Sequence, residues 1–237
     1  MIQDFPVSER PAAAIVCCEV LAFAASCVLH PFGWVRRESA STERRRDQRT
    51  IVLLPGYLAN RTCFLPLAGY LRARGAPAVL TYEYDSGQGV ERAAIGLREF
   101  LKRHVRGGRV DLVGHSLGGL VARTYLQELG GARRVDRCVT LGTPHRGTYN
   151  AYWLTSRVAR ELRPDSRLLE RLEASRAGAA GVRYTSIVAG SDNIVIPRVF
   201  ASGEDLVHVP HLGHMGLLFS HTVLRTVADR LLAPAAA

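Results

Sequence analysis

Short apolar segments alternate with longer segments of helical periodicity along most of the chain. A continuous apolar run such as Ile51–Leu54 is typical of a strand buried on both faces. The segments with strand character are residues 51–54, 78–82, 109–113, 135–141, 182–189 and 206–209. Helical spacing predicts helices between them, at residues 62–74, 90–104, 117–129, 149–176 and 216–232. This alternation predicts an α/β fold, with a mostly parallel sheet of about six strands and helices on both faces.

The N-terminal part of the chain has a different pattern. Residues 11–35 are apolar apart from Glu19, His30 and a few small polar residues, and an Arg-rich stretch follows. Roughly 20 apolar residues suffice to span a bilayer as a helix, and the arginines that follow favour a cytoplasmic body in that case. A helix at a membrane surface, a core helix or a helix packed on the body, and a signal peptide are the other interpretations. The last is disfavoured because the N-terminus lacks a positive bias.

The sequence therefore predicts three parts. Residues 1–36 form an apolar N-terminal segment, residues 37–49 a linker, and residues 50–237 the domain that carries the chemistry. Membrane association through residues 11–35 is the expected localisation, and a secreted or periplasmic protein is the alternative.

Charge and cysteine content add little to this picture. The formal net charge is +10, and nearly all the positive charge is arginine, since Lys102 is the one lysine. This favours an anionic surface such as acidic lipid, although a compositional bias explains it at least as well. No stretch resembles a nucleic-acid-binding motif, so no nucleic-acid partner is expected. Cys63 and Cys138 are either buried thiols or a disulfide, and nothing calls for a metal or an organic cofactor.

A candidate nucleophile lies in the run Gly114-His115-Ser116-Leu117-Gly118. The Gly-x-Ser-x-Gly pattern alone is weak, but here it joins a predicted strand to a predicted helix. On such a sharp turn a strained backbone exposes the serine hydroxyl, and the helix N-terminus favours developing negative charge. Glycine is required on either side because side chains would collide across the turn. Ser116 is therefore predicted to be a nucleophile.

A serine nucleophile needs a base and an acid, which in this arrangement follow in the chain order Ser, Asp, His. Asp192 lies on the loop that leaves the predicted strand 182–189 and is predicted to be the acid. Asp205 is the rival, but it precedes a strand and is expected at the opposite edge of the sheet.

Four late histidines compete for the role of base: His208, His211, His214 and His221. His208 falls within a predicted strand and His221 within a predicted helix, where structural roles are expected. His214 follows a glycine and precedes the last predicted helix, so its imidazole can turn toward the nucleophile. His214 is the predicted base, with His211 as the alternative.

An oxyanion hole needs two backbone N–H groups that point at the same position. One is predicted to belong to Leu117, the residue after the nucleophile. The other is expected from the loop after the first predicted strand, where Tyr57 is the better donor because Pro55 has no N–H. A simple strand-ending turn is the alternative interpretation of this loop.

Taken together, these segments resemble the small bacterial lipases and esterases of the α/β-hydrolase fold. The resemblance lies in LLPGY at 53–57, GHSLGG at 114–119, LGTPHRGT at 141–148, DNIV at 192–195 and GHMGLL at 213–218. It implies a triad of Ser116, Asp192 and His214, with oxyanion donors at Tyr57 and Leu117. Such lipases commonly have His-Gly where this chain has Pro-Gly, which retains the backbone donor but alters details of the acyl pocket. His145 is expected beside the site without a catalytic role.

The expected function is hydrolysis of carboxylic esters, with lipidic esters favoured, through an acyl-enzyme on Ser116. A small helical cap insertion follows residue 147, and Tyr149, Tyr152 and Trp153 near its start either bind the acyl chain or pack in the core. An acyltransferase or thioesterase with the same triad is the alternative within enzymes. A non-catalytic protein that binds lipid or a partner is the alternative outside them.

Overall fold

The computed structural model describes residues 2–4, 12–31, 49–105, 107–196 and 205–233. The strands in these ranges are β1 (Ile2–Asp4), β2 (Thr50–Leu54), β3 (Val79–Thr81), β4 (Val110–His115), β5 (Val135–Leu141), β6 (Arg183–Ala189) and β7 (Asp205–Val209). The α-helices are α1 (Ala12–Leu29), α2 (Leu65–Ala73), α3 (Val90–His104), α4 (Leu117–Glu128), α5 (Arg157–Glu161), α6 (Arg167–Ala174) and α7 (His221–Leu232). Short 3-10 turns link several of them.

All the strands join one sheet in the order β1-β7-β6-β5-β4-β2-β3, and every neighbouring pair is parallel. The predicted α/β fold with a parallel sheet is therefore confirmed. Because the strands are parallel, their carboxyl ends lie at one edge, where loops from several strands meet. β1 extends the predicted sheet at its outer edge, with Ile2 opposite Leu206 and Asp4 opposite His208. Three residues are too few for a periodic pattern, so the sequence did not predict this strand.

Helices cover both faces of the sheet, and each face has its own apolar core. Successive strand residues point to opposite faces, so Leu112 packs in one core and Val113 in the other. The first core joins the sheet to α3, α4 and α6, and the second joins it to α2 and α7. Full burial of a leucine side chain contributes roughly 1.5–3 kcal/mol, so these cores fix the strands that carry the site.

Cys63 and Cys138 lie in different cores, on opposite faces of the sheet. Both are buried and they are not joined, so the disulfide interpretation is wrong and the interpretation as buried thiols is right. Burial raises the pKa of Cys63 to about 12, which leaves this thiol protonated and unreactive.

The insertion after β5 contains the 3-10 turn Tyr149–Trp153 followed by α5 and α6. It is attached to the body through α6, whose leucines pack in the first core. Arg123 of α4, which is 2% exposed, strengthens this attachment. Its guanidinium donates to the carbonyl oxygens of His145 at 3.0 Å and Leu172 at 2.9 Å. Removal of Arg123 would leave both buried carbonyls without this donor.

The apolar N-terminal segment contains α1, which lies on the body against the 3-10 turns Arg61–Phe64 and Gly216–Leu218. Asn60 donates its side-chain amide to the carbonyl oxygen of His30 at 2.8 Å. Ala22 is buried, whereas Leu21 and Phe23 are 63% and 60% exposed. Among the helices that the structure describes, none has the length and apolar character needed to cross a membrane.

Most of the predicted linker 37–49 lies outside the described residues. Arg49, the last residue of this linker, is described, and salt bridges to two aspartates hold its side chain. Its guanidinium lies 3.0 Å from Asp111 and 2.7 Å from Asp136. Asp111 is fully buried, so Arg49 is part of the domain at the amino end of the sheet.

The last helix begins later than predicted. A separate 3-10 turn, Gly216–Leu218, follows the His214 loop, and α7 starts only at His221. Ser220 between them has an extended backbone, which interrupts the helical conformation. The single helix predicted at residues 216–232 is therefore a 3-10 turn followed by α7.

Candidate active site

Ser116 lies on the turn between β4 and α4. Its backbone has φ 52° and ψ −119°, a conformation that residues other than glycine rarely adopt. Its N–H donates to the carbonyl oxygen of Leu141 at 2.8 Å, and its carbonyl oxygen accepts from Gly119 at 3.1 Å. The residue is partly exposed, although both of its neighbours are buried. The strained backbone is thus held on both sides while the hydroxyl remains accessible at the N-terminus of a helix.

Two glycines permit this sharp turn. A Cβ atom on Gly114 would lie 2.5 Å from the backbone nitrogen of Gly119. A Cβ atom on Gly118 would overlap the carbonyl oxygen of Leu54 at the end of β2. Since both obstacles are backbone atoms, neither moves aside without disturbing the turn. The predicted need for glycine on either side of the serine is confirmed.

Asp192 and His214 form a buried hydrogen-bonded pair. Asp192 leaves β6 and His214 follows β7, and Nδ1 of His214 lies 2.8 Å from Oδ2 of Asp192. The other carboxylate oxygen accepts the N–H groups of Ile194 at 2.8 Å and Val195 at 2.9 Å. Burial opposes ionisation, but the hydrogen bond and charge of His214 and these N–H groups outweigh it and lower the pKa of Asp192. The carboxylate is therefore charged at neutral pH.

This pair lies next to Ser116. A Cβ atom on Gly142 would lie 3.1 Å from Nδ1 of His214, so the histidine ring packs on the backbone just after Leu141. Leu141 is the residue that accepts the N–H of Ser116. The ring of His115, the residue before Ser116, lies 4.8 Å from the ring of His214. The structure thus brings together the three residues predicted as a triad.

His115 has a structural role at this site that the sequence did not predict. It is buried, and its Nε2 lies 3.4 Å from the carbonyl oxygen of His214. Burial and the nearby His214 lower its pKa to about 3, so the ring is neutral. On its other side, its Nδ1 would lie 3.2 Å from a Cβ atom on Gly56. His115 therefore packs between the loop after β2 and the histidine loop.

The loop after β2 carries the candidate oxyanion donor Tyr57. It lies against the nucleophile, because a Cβ atom on Gly56 would be 3.2 Å from Cβ of Ser116. Two contacts from the segment after β3 hold the loop. Tyr84 donates its hydroxyl to the carbonyl oxygen of Pro55 at 2.6 Å, and Leu58 donates its N–H to Oγ of Ser86 at 3.0 Å.

The backbone of Leu58 is also strained, with φ 55°. Tyr84 and Ser86 are thus supporting residues that sequence reasoning missed. Both are polar residues soon after β3, but no sequence motif indicates that they bind the backbone of the loop after β2. Leu117, the other candidate donor, is the first residue of α4 and is buried.

The rival residues lie elsewhere. Asp205 begins β7, at the amino end of the sheet, and accepts hydrogen bonds from Thr185 at 3.1 Å and Arg230 at 2.6 Å. His208 lies within β7 and His221 is the first residue of α7, in the elements where structural roles were expected. His211 lies in the turn between β7 and His214. The contact with Asp192 is made by His214.

His145 is buried beneath the site and is held in the interior. Its Nε2 lies 3.1 Å from Oγ1 of Thr140, which in turn lies 3.2 Å from Oγ of Ser186. Burial, with the charges of Arg123 and Arg176, lowers the pKa of His145 to about 3. A neutral ring in a hydrogen-bonded network is consistent with the structural role expected for it.

The three aromatic residues of the insertion are on the surface, so the interpretation as core packing is wrong. Tyr149, Tyr152 and Trp153 are 57%, 46% and 86% exposed. Their segment is connected to the acid loop, since Tyr149 donates its N–H to the carbonyl oxygen of Ile196 at 2.7 Å. Ile194 and Ile196 of that loop are also exposed. An apolar surface therefore lies next to the residues that follow Asp192.

Known structures share this architecture. A gene product of Listeria innocua aligns with a TM-score of 0.61 at 15% identity, over 80% of this chain and 96% of its own. Lipase BlEst2 of Bacillus licheniformis in its mature form gives a TM-score of 0.59 at 15% identity, over 76% of this chain and 92% of its own. Lipase B of Aspergillus fumigatus gives 0.68 at 15% identity, over 82% of this chain, which spans only 55% of that lipase.

The parallel sheet, the strained serine turn and these structures define an α/β-hydrolase fold. At the level of sequence, the family model of palmitoyl protein thioesterases matches residues 89–194. This segment runs from the residue before α3 to the acid loop, and it includes Ser116 and Asp192.

Proposed function

We propose that the protein is a serine hydrolase that cleaves carboxylic esters through an acyl-enzyme on Ser116. The observation that carries the proposal is the position of a strained, accessible serine beside a buried His–Asp pair. A strained nucleophile turn has little purpose in a protein that only binds a partner, because the strain lowers stability by about 1–3 kcal/mol. The likeness to lipases in fold and the thioesterase family match support a hydrolase.

The chemistry follows from the orientation of the histidine. Nδ1 of His214 faces Asp192, so Nε2 is the atom left to accept the proton of the Ser116 hydroxyl. The serine oxygen then attacks the carbonyl carbon, and Asp192 stabilises the imidazolium that forms. The imidazolium protonates the leaving alcohol as the ester bond breaks. Water, deprotonated by His214, then releases the acid and regenerates the serine.

The negative charge that develops on the carbonyl oxygen needs fixed donors. The N–H of Leu117 at the start of α4 and the N–H of Tyr57 are the proposed pair. Their supports are rigid: a helix end on one side and a loop held by Tyr84 and Ser86 on the other. Donors held in this way would need little reorganisation when the oxyanion forms.

The exposed apolar surface beside the acid loop favours lipidic esters. Tyr149, Tyr152 and Trp153, with Ile194 and Ile196, provide aromatic and aliphatic side chains for an acyl chain. A chain with formal net charge +10 also favours anionic lipid surfaces. We therefore propose esters with long acyl chains as the substrate class.

The test of this function is covalent labelling together with an ester panel. A fluorophosphonate probe is expected to label the wild-type protein and not the Ser116→Ala variant. On nitrophenyl esters, Ser116→Ala and His214→Ala should each lower kcat by about 10⁴-fold or more. If Ser116→Ala keeps wild-type activity, the nucleophile is wrongly assigned. Absence of labelling and turnover in the wild type would favour a non-catalytic lipid-binding protein.

Thioester hydrolysis is the second candidate, and the match to the palmitoyl protein thioesterase family favours it. The same triad would attack a thioester, and a thiol protonated by the imidazolium would leave in place of the alcohol. Palmitoyl thioester and palmitoyl nitrophenyl ester, compared at equal concentration, separate the two by kcat/KM. Added alcohol would reveal an acyltransferase, because the product becomes an ester rather than the free acid.

Membrane association through residues 11–35 is a separate proposal. It is supported by the exposed apolar side chains of α1, where Val16, Val20 and Val28 are 62%, 60% and 68% exposed. We propose that this exposed apolar face binds a lipid surface, as the apolar face of an interfacial helix does. In co-sedimentation with vesicles of mixed neutral and acidic lipid, the full chain should be recovered in the vesicle pellet. A Val16→Asp, Phe23→Asp variant should remain in the supernatant, and equal recovery of both would contradict the proposal.

A further inference from the structure

Glu19 makes an unusual contact between α1 and the histidine loop. It is the one charged residue in the sequence of α1, which is otherwise apolar and small. Its two carboxylate oxygens accept backbone N–H groups: Oε2 that of Met215 at 3.0 Å, and Oε1 that of Gly216 at 2.6 Å. These are the two residues that follow His214 in the chain. Glu19 therefore contacts the backbone immediately next to the proposed base.

The shape of the loop around this carboxylate is complementary to it. A Cβ atom on Gly213 would overlap the carboxyl carbon of Glu19, and one on Gly216 would lie 2.7 Å from its Oε1. The two glycines stand on either side of the His214-Met215 pair and are buried. Their missing side chains leave the space in which the Glu19 side chain lies.

The energetics explain why the contact is specific. The N–H groups at the start of the 3-10 turn Gly216–Leu218 have no partner within the turn, as at any helical start. A carboxylate that accepts two N–H groups makes charge-assisted hydrogen bonds, which are roughly twice as strong as neutral ones. An alanine at position 19 would leave these two donors without their acceptors.

We propose that Glu19 is a positioning residue for His214, which makes the N-terminal helix part of the active-site framework. The inference rests on the proposed serine-hydrolase function. Asp192 holds the ring of His214 through Nδ1, and His115 contacts its carbonyl oxygen. Glu19 holds the next two residues, so the backbone that carries the imidazole is fixed from the side of α1. An error of about 1 Å in the placement of a catalytic group can lower the rate by about 10²-fold.

The first experiment compares Glu19→Gln and Glu19→Ala with the wild type, in the full chain, on a short soluble nitrophenyl ester. Glu19→Ala should lower kcat by about 10- to 100-fold. KM should remain within about twofold, because Glu19 is not part of the proposed acyl-binding surface. Glu19→Gln retains one acceptor oxygen and should recover part of the rate.

Ser26→Ala is the matched control on the same helix. Its hydroxyl donates to the carbonyl oxygen of Ala22 within α1, at 3.0 Å. This variant should leave kcat unchanged. An equal fall in kcat for Ser26→Ala and Glu19→Ala would mean that general loosening of α1, and not the carboxylate, affects the rate, which overturns the proposal.

A second experiment uses the fit between Glu19 and Gly213. In the wild-type background, Gly213→Ala places a methyl group in the space of the carboxylate and should lower kcat about as much as Glu19→Ala. In the Glu19→Ala background that space is empty, so Gly213→Ala should add little further loss. A purely local effect of Gly213→Ala would instead multiply with that of Glu19→Ala. Multiplied losses, or wild-type kcat in a folded Glu19→Ala variant, overturn the proposal.

The two proposals fail in different ways. Fluorophosphonate labelling of the wild type at Ser116 tests the serine-hydrolase function independently of Glu19. If labelling succeeds and Glu19→Ala labels at the wild-type rate, only the positioning role is lost. If the wild type neither labels nor turns over an ester, the function itself is wrong. Thermal unfolding and near-UV circular dichroism of each variant identify any variant that has failed to fold.

Discussion

Oδ2 of Asp192 lies 2.8 Å from Nδ1 of His214, and Oδ1 of the same carboxylate accepts two N–H groups from its own loop. One oxygen of the carboxylate thus orients the histidine while the other is held by the backbone. The carboxylate cannot rotate without losing three hydrogen bonds. This geometry fixes Nε2 as the nitrogen of His214 that points away from the acid, the one that the proposed mechanism uses as the base.

The first prediction concerns Asp192→Asn. An amide in place of the carboxylate can donate to Nδ1, which favours the tautomer with its proton on Nε2, the wrong one for a base. We expect kcat to fall by about 10⁴-fold, with KM little changed. Steady-state kinetics on a soluble ester measure this, and circular dichroism checks the fold. Activity within tenfold of the wild type would show that Asp192 is not the acid.

The second prediction concerns the support of the proposed oxyanion loop. Tyr84→Phe removes the hydrogen bond to the carbonyl oxygen of Pro55 and leaves that carbonyl without its donor. Loss of a partner for a buried group costs about 1–3 kcal/mol. We expect kcat/KM on a short ester to fall by about tenfold, because the N–H of Tyr57 is less well placed.

Tyr82→Phe is the control for this variant. The Tyr82 ring stacks on that of Tyr84 with centroids 5.2 Å apart, but its hydroxyl donates to the carbonyl oxygen of Ala93 in α3. Both variants should lower the melting temperature, whereas only Tyr84→Phe should lower kcat/KM. Equal kinetic losses would argue against a specific role for the Pro55 contact.

The third prediction concerns the exposed aromatic surface. Trp153→Ala removes a side chain that is 86% exposed and so should not change stability. If this surface binds acyl chains, kcat/KM for a long-chain ester should fall by about tenfold, or about 1.4 kcal/mol. The value for a short-chain ester should stay within twofold. Ile95→Ala, which removes an exposed apolar side chain from α3, is the matched control and should affect neither substrate.

The site residues that the sequence predicted have one property in common. Each was located from the need of a serine nucleophile for an acid and a base, and from the chain order Ser, Asp, His. Ser116 lies between a recognisable strand and helix, and Asp192 and His214 lie on loops after late strands. Periodicity locates such loops because long buried strands and amphipathic helices have strong patterns. The parallel sheet then brings the loops to one edge.

The contacts that sequence did not predict join distant positions through single side chains. Glu19 and Met215 are 196 residues apart, and Tyr84 contacts Pro55 across 29 residues. Such a contact depends on the exact packing of two elements, which no local pattern records. Arg49 shows the same limit, since it lies in an Arg-rich stretch predicted as a linker yet pairs with the buried Asp111.

The last prediction concerns the pH dependence of stability. The pKa of buried His145 and of buried His115 is lowered from 6.5 to about 3, so both rings are neutral in the folded protein. The unfolded chain takes up these protons below its ordinary histidine pKa, and the folded protein does so only near pH 3.

Stability should therefore be complete above the ordinary histidine pKa and fall as the pH decreases toward the folded pKa. Each ring should contribute a slope of about 1.4 kcal/mol per pH unit. His145→Gln cannot take up a proton, so this variant should lose one of the two contributions. Urea unfolding from about pH 8 to pH 4 measures the slope. The difference from wild type at the alkaline end isolates the packing cost of the substitution, since neither state is protonated there. An unchanged slope in His145→Gln would mean that this ring is already protonated in the folded protein, or that its burial does not determine acid stability.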